Sequence, residues 1–410
     1  MGAGKMTGMK PFKTLLPRLE ALRIIEENIN RIERVEEVPL ERAGGRVLAG
    51  DIVAGFSVPP FARSAMDGYA VRAEDTYGAS TTDPKRLRLL GVQYAGEYFQ
   101  GEVDQGECVQ VATGSPVPLG ADSVVMVEFT RSEGETVEIQ KPAYPGSNVS
   151  PVGEDIVEGE TVIGAGEVLT PAKVGALAAM NVERVEVYAR PRVAIYSTGS
   201  EIRPLGSELH PSQIYDVNSY TLSSFVGSNG CQPVMRGVVP DEKDRIDEAV
   251  REASGYDLGI FSGGSSVGAR DLFAYAIEGL GEVLFHGLQV KPGKPTLFGI
   301  VDGTPIFGMP GYPTSCLSNA YIFLTPALRR LAGLPPAKPR TVKARMGQRF
   351  VSGSGREQFL TVRVEEGVAI PTFKRSGAIT SMSHADGYIV LPVNLDVIEE
   401  GAEVEVTLLG

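Results

Sequence analysis

Near the start of the chain, apolar residues recur at helical spacing: Leu22, Ile25, Ile29 and Ile32 are separated by Glu and Arg. Steps of three and four put them on one face, which predicts an amphipathic helix over 17–35. From about Gly50 to Val168 no helical period continues. Short runs such as VVMVEF at 124–129 are divided by Gly, Pro and Asn turns, the mark of a β-rich region.

The pattern changes near Thr170. TPAKVGALAAM (170–180) predicts a helix with Thr170 as N-cap and Pro171 at the first helical position. RVAIYSTGSE (192–201) is an apolar strand running into a Gly turn. A helix with Leu222, Phe225 and Val226 on one face follows from about Ser219, and VMRGVVP (234–240) is a strand. DEKDRIDEAVREA (241–253) predicts a helix with Asp241 as N-cap and Asp244 three positions on. DLGIFSGGSSVG (257–268) is a strand leading into a Gly/Ser loop, and DLFAYAIEGLG (271–281) is a helix closed by glycine. TPIFGMPG (304–311) is another strand and loop, followed by a helix from about Pro313. Strands alternating with helices at this spacing predict a parallel, doubly wound α/β domain. LPPAKPR (334–340) is a stiff linker. Beyond it TVKARM, QFLTVRV, GYIVLP and AEVEVTLL alternate as strands of a small all-β domain.

At 410 residues the chain has room for two to four domains, and 42% apolar with 22% charged residues supplies ordinary cores. The 49 glycines and 28 prolines mark many tight turns without a collagen period. A net charge of −12 argues against a broad nucleic-acid surface. An anionic ligand would need a few placed cations, backbone N–H groups or a metal. Cys108, Cys231 and Cys316 are far apart, with no zinc or disulfide spacing, which fits a reducing cytosol. The first residues lack the apolar stretch of a signal peptide, and Met6 breaks the myristoylation pattern. The uncharged stretch Gly303–Leu328 is long enough to span a bilayer, but Pro305, Pro310, Pro313 and Pro326 interrupt it, so no membrane span is expected.

In a doubly wound sheet, ligands bind beyond the carboxyl ends of the strands. Three loops are expected there: STGSE (197–201), SGGSSVGARD (262–271) and GMPGYPTS (308–315). Their small residues, including Ser197, Gly199, Gly263, Gly264 and Ser265, leave backbone N–H groups free for phosphate-like anions. Each loop alone would equally be a tight βα turn. None is a Walker A or G-x-G-x-x-G loop. Glu201, Asp241 and Asp271 lie beside these loops, as Mg²⁺-holding carboxylates or else, for the two aspartates, as helix N-caps and, for Glu201, as a solvated side chain. KPGKP (291–295) sets Lys291 and Lys294 three apart on a chain that cannot be helical, so both could reach one oxyanion, or the segment could be a solvated turn. FARSAMDGYAV (61–71) offers Asp67 as a ligand or as turn punctuation. His210, His286 and His384 have no metal-ligand spacing.

Together these stretches resemble the MoeA family, the molybdopterin molybdenumtransferases that include the E domain of gephyrin. The matching segments are PPFARSAMDGYAV (59–71), ATGSPVPLGADSVVMVE (112–128), GEDI (153–156), STGSE, QIYDVN (213–218), SGGSSVG, VKPGKP and GMPGYPTS. The resemblance implies a multidomain α/β and β chain. Residues 1–50 and 157–190 would form an elongated linker and dimerisation domain, 51–156 an inserted β-rich domain, 191–335 a doubly wound α/β molybdopterin-binding domain and 336–410 a small β-barrel-like domain. It implies a cytoplasmic homodimer whose active site joins the α/β domain of one subunit to the insertion of the other. The reaction implied takes adenylylated molybdopterin and molybdate, uses Mg²⁺, and yields molybdenum cofactor and AMP. Transient contact with the molybdopterin adenylyltransferase is also implied. The family's functional positions fall on Asp67, Thr113, Asp155, Glu201, Asp241, Asp271, Lys291, Lys294, Pro310, Pro313, Arg356 and Ser376. Three departures stand out: no arginine precedes the GED turn near Ser150, Tyr312 replaces a common Asn, and Thr361 stands where a second Arg is frequent. A receptor-clustering scaffold of the gephyrin E type and a CinA-like nucleotide pyrophosphatase remain as alternatives.

Overall fold

The computed structural model describes residues 15–263, 267–352, 355–372 and 377–409, with the side chains of 267–271 outside that description. Two compact units emerge: residues 37–187, and the remainder on either side of them.

Helix α1, Arg18–Asn28, buries Ala21 and Ile25. It is shorter than the expected 17–35. The Asn28 side-chain amide donates to the Ile24 carbonyl at 2.8 Å, and Ile29 turns extended. A short amide that competes for backbone carbonyls favours a helix end over a helix interior. Ile29 stays fully buried, because the extended stretch lies along the last helix of the α/β fold, where the Ile32 N–H donates to Leu331 O at 3.1 Å.

The 37–187 unit contains a six-stranded sheet. Its strands are β1 (Gly68–Val71), β2 (Lys85–Gln93), β3 (Glu107–Val111), β4 (Ser123–Met126), β5 (Thr130–Glu133) and β6 (Thr136–Ile139), in the order β4-β1-β3-β2-β6-β5. All neighbours are antiparallel except β2 and β3. Period-two alternation puts Val71, Cys108 and Val125 into one core and Ala70, Val109 and Val124 into another on the opposite face. Helix α2, Pro171–Ala179, starts as its sequence dictates: the Thr170 hydroxyl accepts the Lys173 N–H, and Pro171 occupies the first turn.

In the other unit, β7 (Arg192–Thr198), α3 (Asn218–Ser228), β8 (Gln232–Val239), α4 (Lys243–Ala253), β9 (Leu258–Gly263), α5 (Val267–Leu280) and β10 (Gly281–His286) alternate. They continue through β11 (Val290–Lys291), β12 (Leu297–Val301), β13 (Thr304–Met309), α6 (Pro313–Asn319) and α7 (Thr325–Leu331). The sheet order is β8-β7-β9-β13-β12-β10. Val193 and Ile195 face a core built with Leu222, Phe225, Cys316 and Phe323. Ala194 and Tyr196 face one built with Ile246, Val250 and Ile277. This is a doubly wound α/β layer. The expected all-parallel sheet needs one correction: β12 runs antiparallel to both β10 and β13, because Asp302 and Gly303, both at positive φ, make a tight hairpin turn instead of a helical crossover.

Two helix starts also differ from expectation. Helix α4 begins at Lys243, and the residue before it, Glu242, makes no side-chain cap. Asp241 is not an N-cap, because its carboxylate accepts from the Ser200 N–H of another loop. Helix α5 begins at Val267, so Asp271 lies inside it and not at a cap.

The last 70 residues form β14 (Thr341–Met346), β15 (Glu357–Glu365), β16 (Val368–Pro371), β17 (Gly387–Leu391) and β18 (Glu403–Leu408). The order β15-β16-β14-β18-β17 closes through a second β15–β17 pairing into a five-stranded barrel. Strand β11 joins its edge by pairing parallel to β15. The three cysteines are buried free thiols. No helix among the described residues is long and apolar enough to cross a membrane.

Candidate active site

The crossover from β7 leads outward to β8, and the next returns to β9 on the other side of β7. The strand order therefore reverses between β7 and β9, where a doubly wound sheet opens a crevice at its carboxyl edge. The described parts of the expected loops meet there. Ser197 Oγ donates to Asp216 Oδ1 at 2.8 Å and lies 2.8 Å from Ser219 Oγ and 3.2 Å from Ser262 Oγ. These four residues are buried, and they tie the ends of β7 and β9 to the start of α3. Gly263 is paired with Thr198, and a Cβ there would sit 2.9 Å from the Thr198 hydroxyl. At Gly199, where φ is +150°, a Cβ would meet Glu201 Oε2 at 2.9 Å. The left-handed backbone favours glycine at 199, while at 263 a side chain would require the Thr198 hydroxyl to shift.

Asp241 follows β8 on the same edge. Its Oδ2 accepts from the Ser200 N–H at 3.3 Å, while its Oδ1 is buried with no partner among the described residues. Burial pushes this carboxyl above its ordinary range. The Ser200 N–H opposes the shift and the Glu201 charge adds to it. At the end of β13, Pro310 is buried and Pro313 opens α6. The Asn218 side-chain amide donates to Gly311 O at 2.9 Å and binds this loop to α3.

Lys291 ends β11, and Lys294 lies on the turn that leads to β12. Gly293, at φ +104°, packs against the buried Asn319 of α6, whose Nδ2 donates to Gly293 O at 2.8 Å and Thr296 Oγ1 at 2.6 Å. In the β11–β15 register Lys291 pairs with Gln358, and Arg356 of the barrel domain lies two residues before it, just ahead of β15. The Gln289 side-chain amide donates to Gly355 O at 3.2 Å. The barrel also meets the α6 loop: Thr314 Oγ1 donates to Ala378 O at 2.9 Å, and Gly377 faces the Tyr312 ring. Thr361 Oγ1 is buried without a partner among the described residues.

A second set of predicted residues belongs to the 37–187 unit. The Thr113 N–H and hydroxyl both donate to Asp67 Oδ1, at 2.7 and 2.8 Å. The Thr113 N–H and then its hydroxyl hold the Asp67 carboxyl below its ordinary range. Gly68 is necessary beside it, since a Cβ would lie 2.1 Å from Val125 O. Asp155 is exposed, with its N–H bonded to Val58 O at 3.0 Å. Ser150, just before the GED turn, donates to Glu154.

The comparisons with known proteins cover nearly the whole chain. Residues 16–181 match the MoeA N-terminal region (domain I and II), 194–330 a "Probable molybdopterin binding domain", and 343–409 the MoeA C-terminal region (domain IV). The chain belongs to the MoeA family. Molybdopterin molybdenumtransferase 2 of Mycobacterium tuberculosis is 38% identical over 83% of this chain and 85% of its own length. The molybdopterin molybdenumtransferase of Staphylococcus aureus is 30% identical over 94% of this chain and 95% of its own. A crystal structure of the molybdopterin biosynthesis MoeA protein from Pyrococcus horikoshii superposes with a TM-score of 0.82 at 35% identity, covering 96% of this chain and 100% of that one.

Within this MoeA-family chain, Gly264, Ser265 and Ser376 lie outside the described residues, as does the Asp271 side chain. Among the described residues no group of three or more His, Cys, Asp or Glu is arranged to hold a metal. The Glu201–Asp241 pair with its unpartnered Oδ1 does fit part of a cation site, since a buried carboxylate oxygen lacking a donor is a costly feature to leave open. Sequence reasoning missed Asp216, Asn218 and Asn319. QIYDVN held a usable signal for the first: Asp216 Oδ1 accepts the Ser219 N–H three residues on, a local pattern typical of helix starts.

Proposed function

We propose that this chain inserts molybdate into adenylylated molybdopterin, forming molybdenum cofactor and releasing AMP. The observation that carries the reading is the carboxylate pair at the switch point. Burial, with a further contribution from the Glu201 charge, raises the Asp241 carboxyl, and Asp241 Oδ1 is buried without a donor among the described residues, beside the glycine-bearing loop that follows β7. Glu201 and Asp241, with Asp271, would hold Mg²⁺. When bound, Mg²⁺ would supply positive charge to the phosphoanhydride oxygens.

The chain's own residues position the reactants. The backbone N–H groups of Gly199 and Gly263, together with Gly264 and Ser265 outside the described residues, would bind pterin and phosphate oxygens. The Ser197–Asp216–Ser219–Ser262 network fixes the strands beneath them, so little reorganisation is needed when charge develops. Lys291 and Lys294, with Arg356 and Ser376, hold molybdate as a tetrahedral dianion near the dithiolene sulfurs. Pro310 and Pro313 stiffen the loop against the pterin. Water attacks phosphorus as the phosphoanhydride P–O bond breaks, giving AMP and the pterin phosphate, while the two dithiolene sulfurs replace two molybdate oxygens, which take up protons and leave as water. In a homodimer, the Thr113-bound Asp67 and Asp155 of one copy would complete the site of the other. Catalysis then rests on positioning and charge stabilisation. Docking of the adenylyltransferase would deliver the substrate.

The test uses the purified chain with adenylylated molybdopterin, molybdate and Mg²⁺, following AMP release and cofactor formation. Both should require oxyanion and Mg²⁺. No AMP release under any condition would refute the enzyme reading in favour of a scaffold of the gephyrin E type. Phosphoanhydride cleavage of ordinary dinucleotides without oxyanion would favour a CinA-like pyrophosphatase.

A further inference from the structure

Arg203 follows the STGSE loop and enters neither the sequence motifs nor the roles above. Its backbone pairs with Tyr215, and its carbonyl accepts the N–H of the buried Asp216 at 2.9 Å. The residue is therefore fixed against the network beneath the crevice. Its side chain curls back over the loop, with Nη1 donating to Ser200 O at 3.1 Å and Ile202 O at 2.9 Å. Ser200 is also the residue whose N–H binds Asp241. The half-buried guanidinium is thus held in place by one nitrogen. These two carbonyls are its only polar side-chain partners among the described residues, although the chain carries 51 acidic against 39 basic side chains. In so acidic a protein, a guanidinium at the carboxyl edge that meets no carboxylate among the described residues has its Nε and Nη2 donors open to a ligand. A planar fork pre-organised by backbone carbonyls suits a phosphate oxyanion better than a mobile ammonium does.

We propose that Arg203 binds a phosphate group of the substrate at the loop 199–203. This deepens the functional reading above and rests on it only for the identity of the phosphate, which is either the nucleotide's or the pterin's. The contact differs from the oxyanion site assigned to Lys291 and Lys294, so the two should respond separately to mutation.

The test compares the full chain with Arg203→Ala, Arg203→Gln and Arg203→Lys by calorimetric titration with AMP, adenosine, unadenylylated molybdopterin and molybdate. Losing a charge-assisted contact predicts about tenfold or more weaker binding of the phosphate-bearing ligand in the Ala and Gln variants, and a smaller loss in the Lys variant. Adenosine and molybdate affinities should not change. The dependence of affinity on salt should fall with the lost charge, and added guanidinium ion should restore binding to Arg203→Ala, which a purely structural role would not produce. Loss confined to AMP assigns the nucleotide phosphate, and loss confined to molybdopterin assigns the pterin phosphate. Unchanged affinity for both, failure of the wild type to bind either, or equal losses for molybdate with a lowered unfolding midpoint would overturn the proposal. A wild-type chain that binds AMP through Arg203 yet forms no cofactor would refute the functional reading alone.

Discussion

Replacing Gly293 with alanine isolates how the lysine-bearing turn is held. Two separate costs can be worked out. A non-glycine residue at φ +104° bears backbone strain of about 1–2 kcal/mol. In addition, the new Cβ would sit 2.3, 2.4 and 2.5 Å from Nδ2, Oδ1 and Cγ of Asn319. Asn319 is fully buried and ends α6, so it cannot swing into solvent. Relief requires breaking its bonds to Gly293 O and Thr296 Oγ1, each contributing about 1 kcal/mol and leaving a buried amide unsatisfied. The sum is roughly 3–5 kcal/mol.

A multidomain chain need not unfold in one step, so the readout should be local. The N–H groups of Leu288 and Thr296 both donate to Lys294 O, at 2.8 and 3.1 Å, and their hydrogen exchange reports opening of this turn. Exchange should speed by about a hundredfold or more, and molybdate affinity should fall with it. Gly303→Ala is the control. It has φ +80° and nothing within 4 Å of its Cβ, so it bears strain alone, about 1–2 kcal/mol, read from the Gly281 N–H region of β10 and β12. If the two substitutions cost the same, the Asn319 clamp is not what holds the turn.

Asp241→Asn removes a carboxylate that burial and Glu201 push up. Its protonated form favours the fold below the ordinary carboxylate range, and that benefit is lost as pH rises through the raised folded value. At neutral pH the variant should therefore be as resistant to denaturant as wild type or more so, while Mg²⁺-dependent AMP release falls at least about a hundredfold; a less stable variant would contradict the assignment. Thr113→Val removes one of two donors to Asp67, so the Asp67 carboxyl should move up toward its ordinary range in an NMR titration, and an unchanged midpoint would discount the hydroxyl. Asp257 is a structural counterpart: burial alone would raise it, but bidentate bonds from Arg34 at 2.7 Å each and the Arg192 N–H hold it below its ordinary range. The stability it confers is present above the ordinary carboxylate pKa and is lost as pH falls through the lowered folded value. Asp257→Asn should cost about 1–3 kcal/mol at pH 7 by denaturant titration, with a difference that disappears in acid.

Local chemistry explains what could be read from the chain. Thr170 and Pro171 start a helix because the cap and the fixed φ need no tertiary help. Strands such as Arg192–Thr198 announce themselves by apolar content alone. The failures have a common origin in groups that bond across the sequence. Asp241 looks like a cap, yet Ser200, 41 residues earlier, takes its carboxylate. Asn28 stops a helix whose apolar spacing continues to Ile32. Asn319 ends a helix four residues beyond the GMPGYPTS stretch, and only the approach of Gly293 from 26 residues away gives it a role. Arg203 has no signature at all until its own loop folds beneath it.

Those long-range bonds bear on function through rigidity. Each loop at the carboxyl edge is fastened to a different neighbour: Ser197 to Ser262, Ser200 to Asp241, Asn218 to Gly311, and Gly293 to Asn319. The fastened segments carry different parts of the proposed site. A carboxylate pair for a cation, a lysine turn for an oxyanion and glycine loops for a phosphate are useful only when held at fixed separations, since misplacement of about 1 Å can cost a hundredfold in rate. Variants at the fastenings should therefore lose transfer of molybdenum out of proportion to their loss of binding for any single ligand, because each ligand reads one loop and the reaction reads them all.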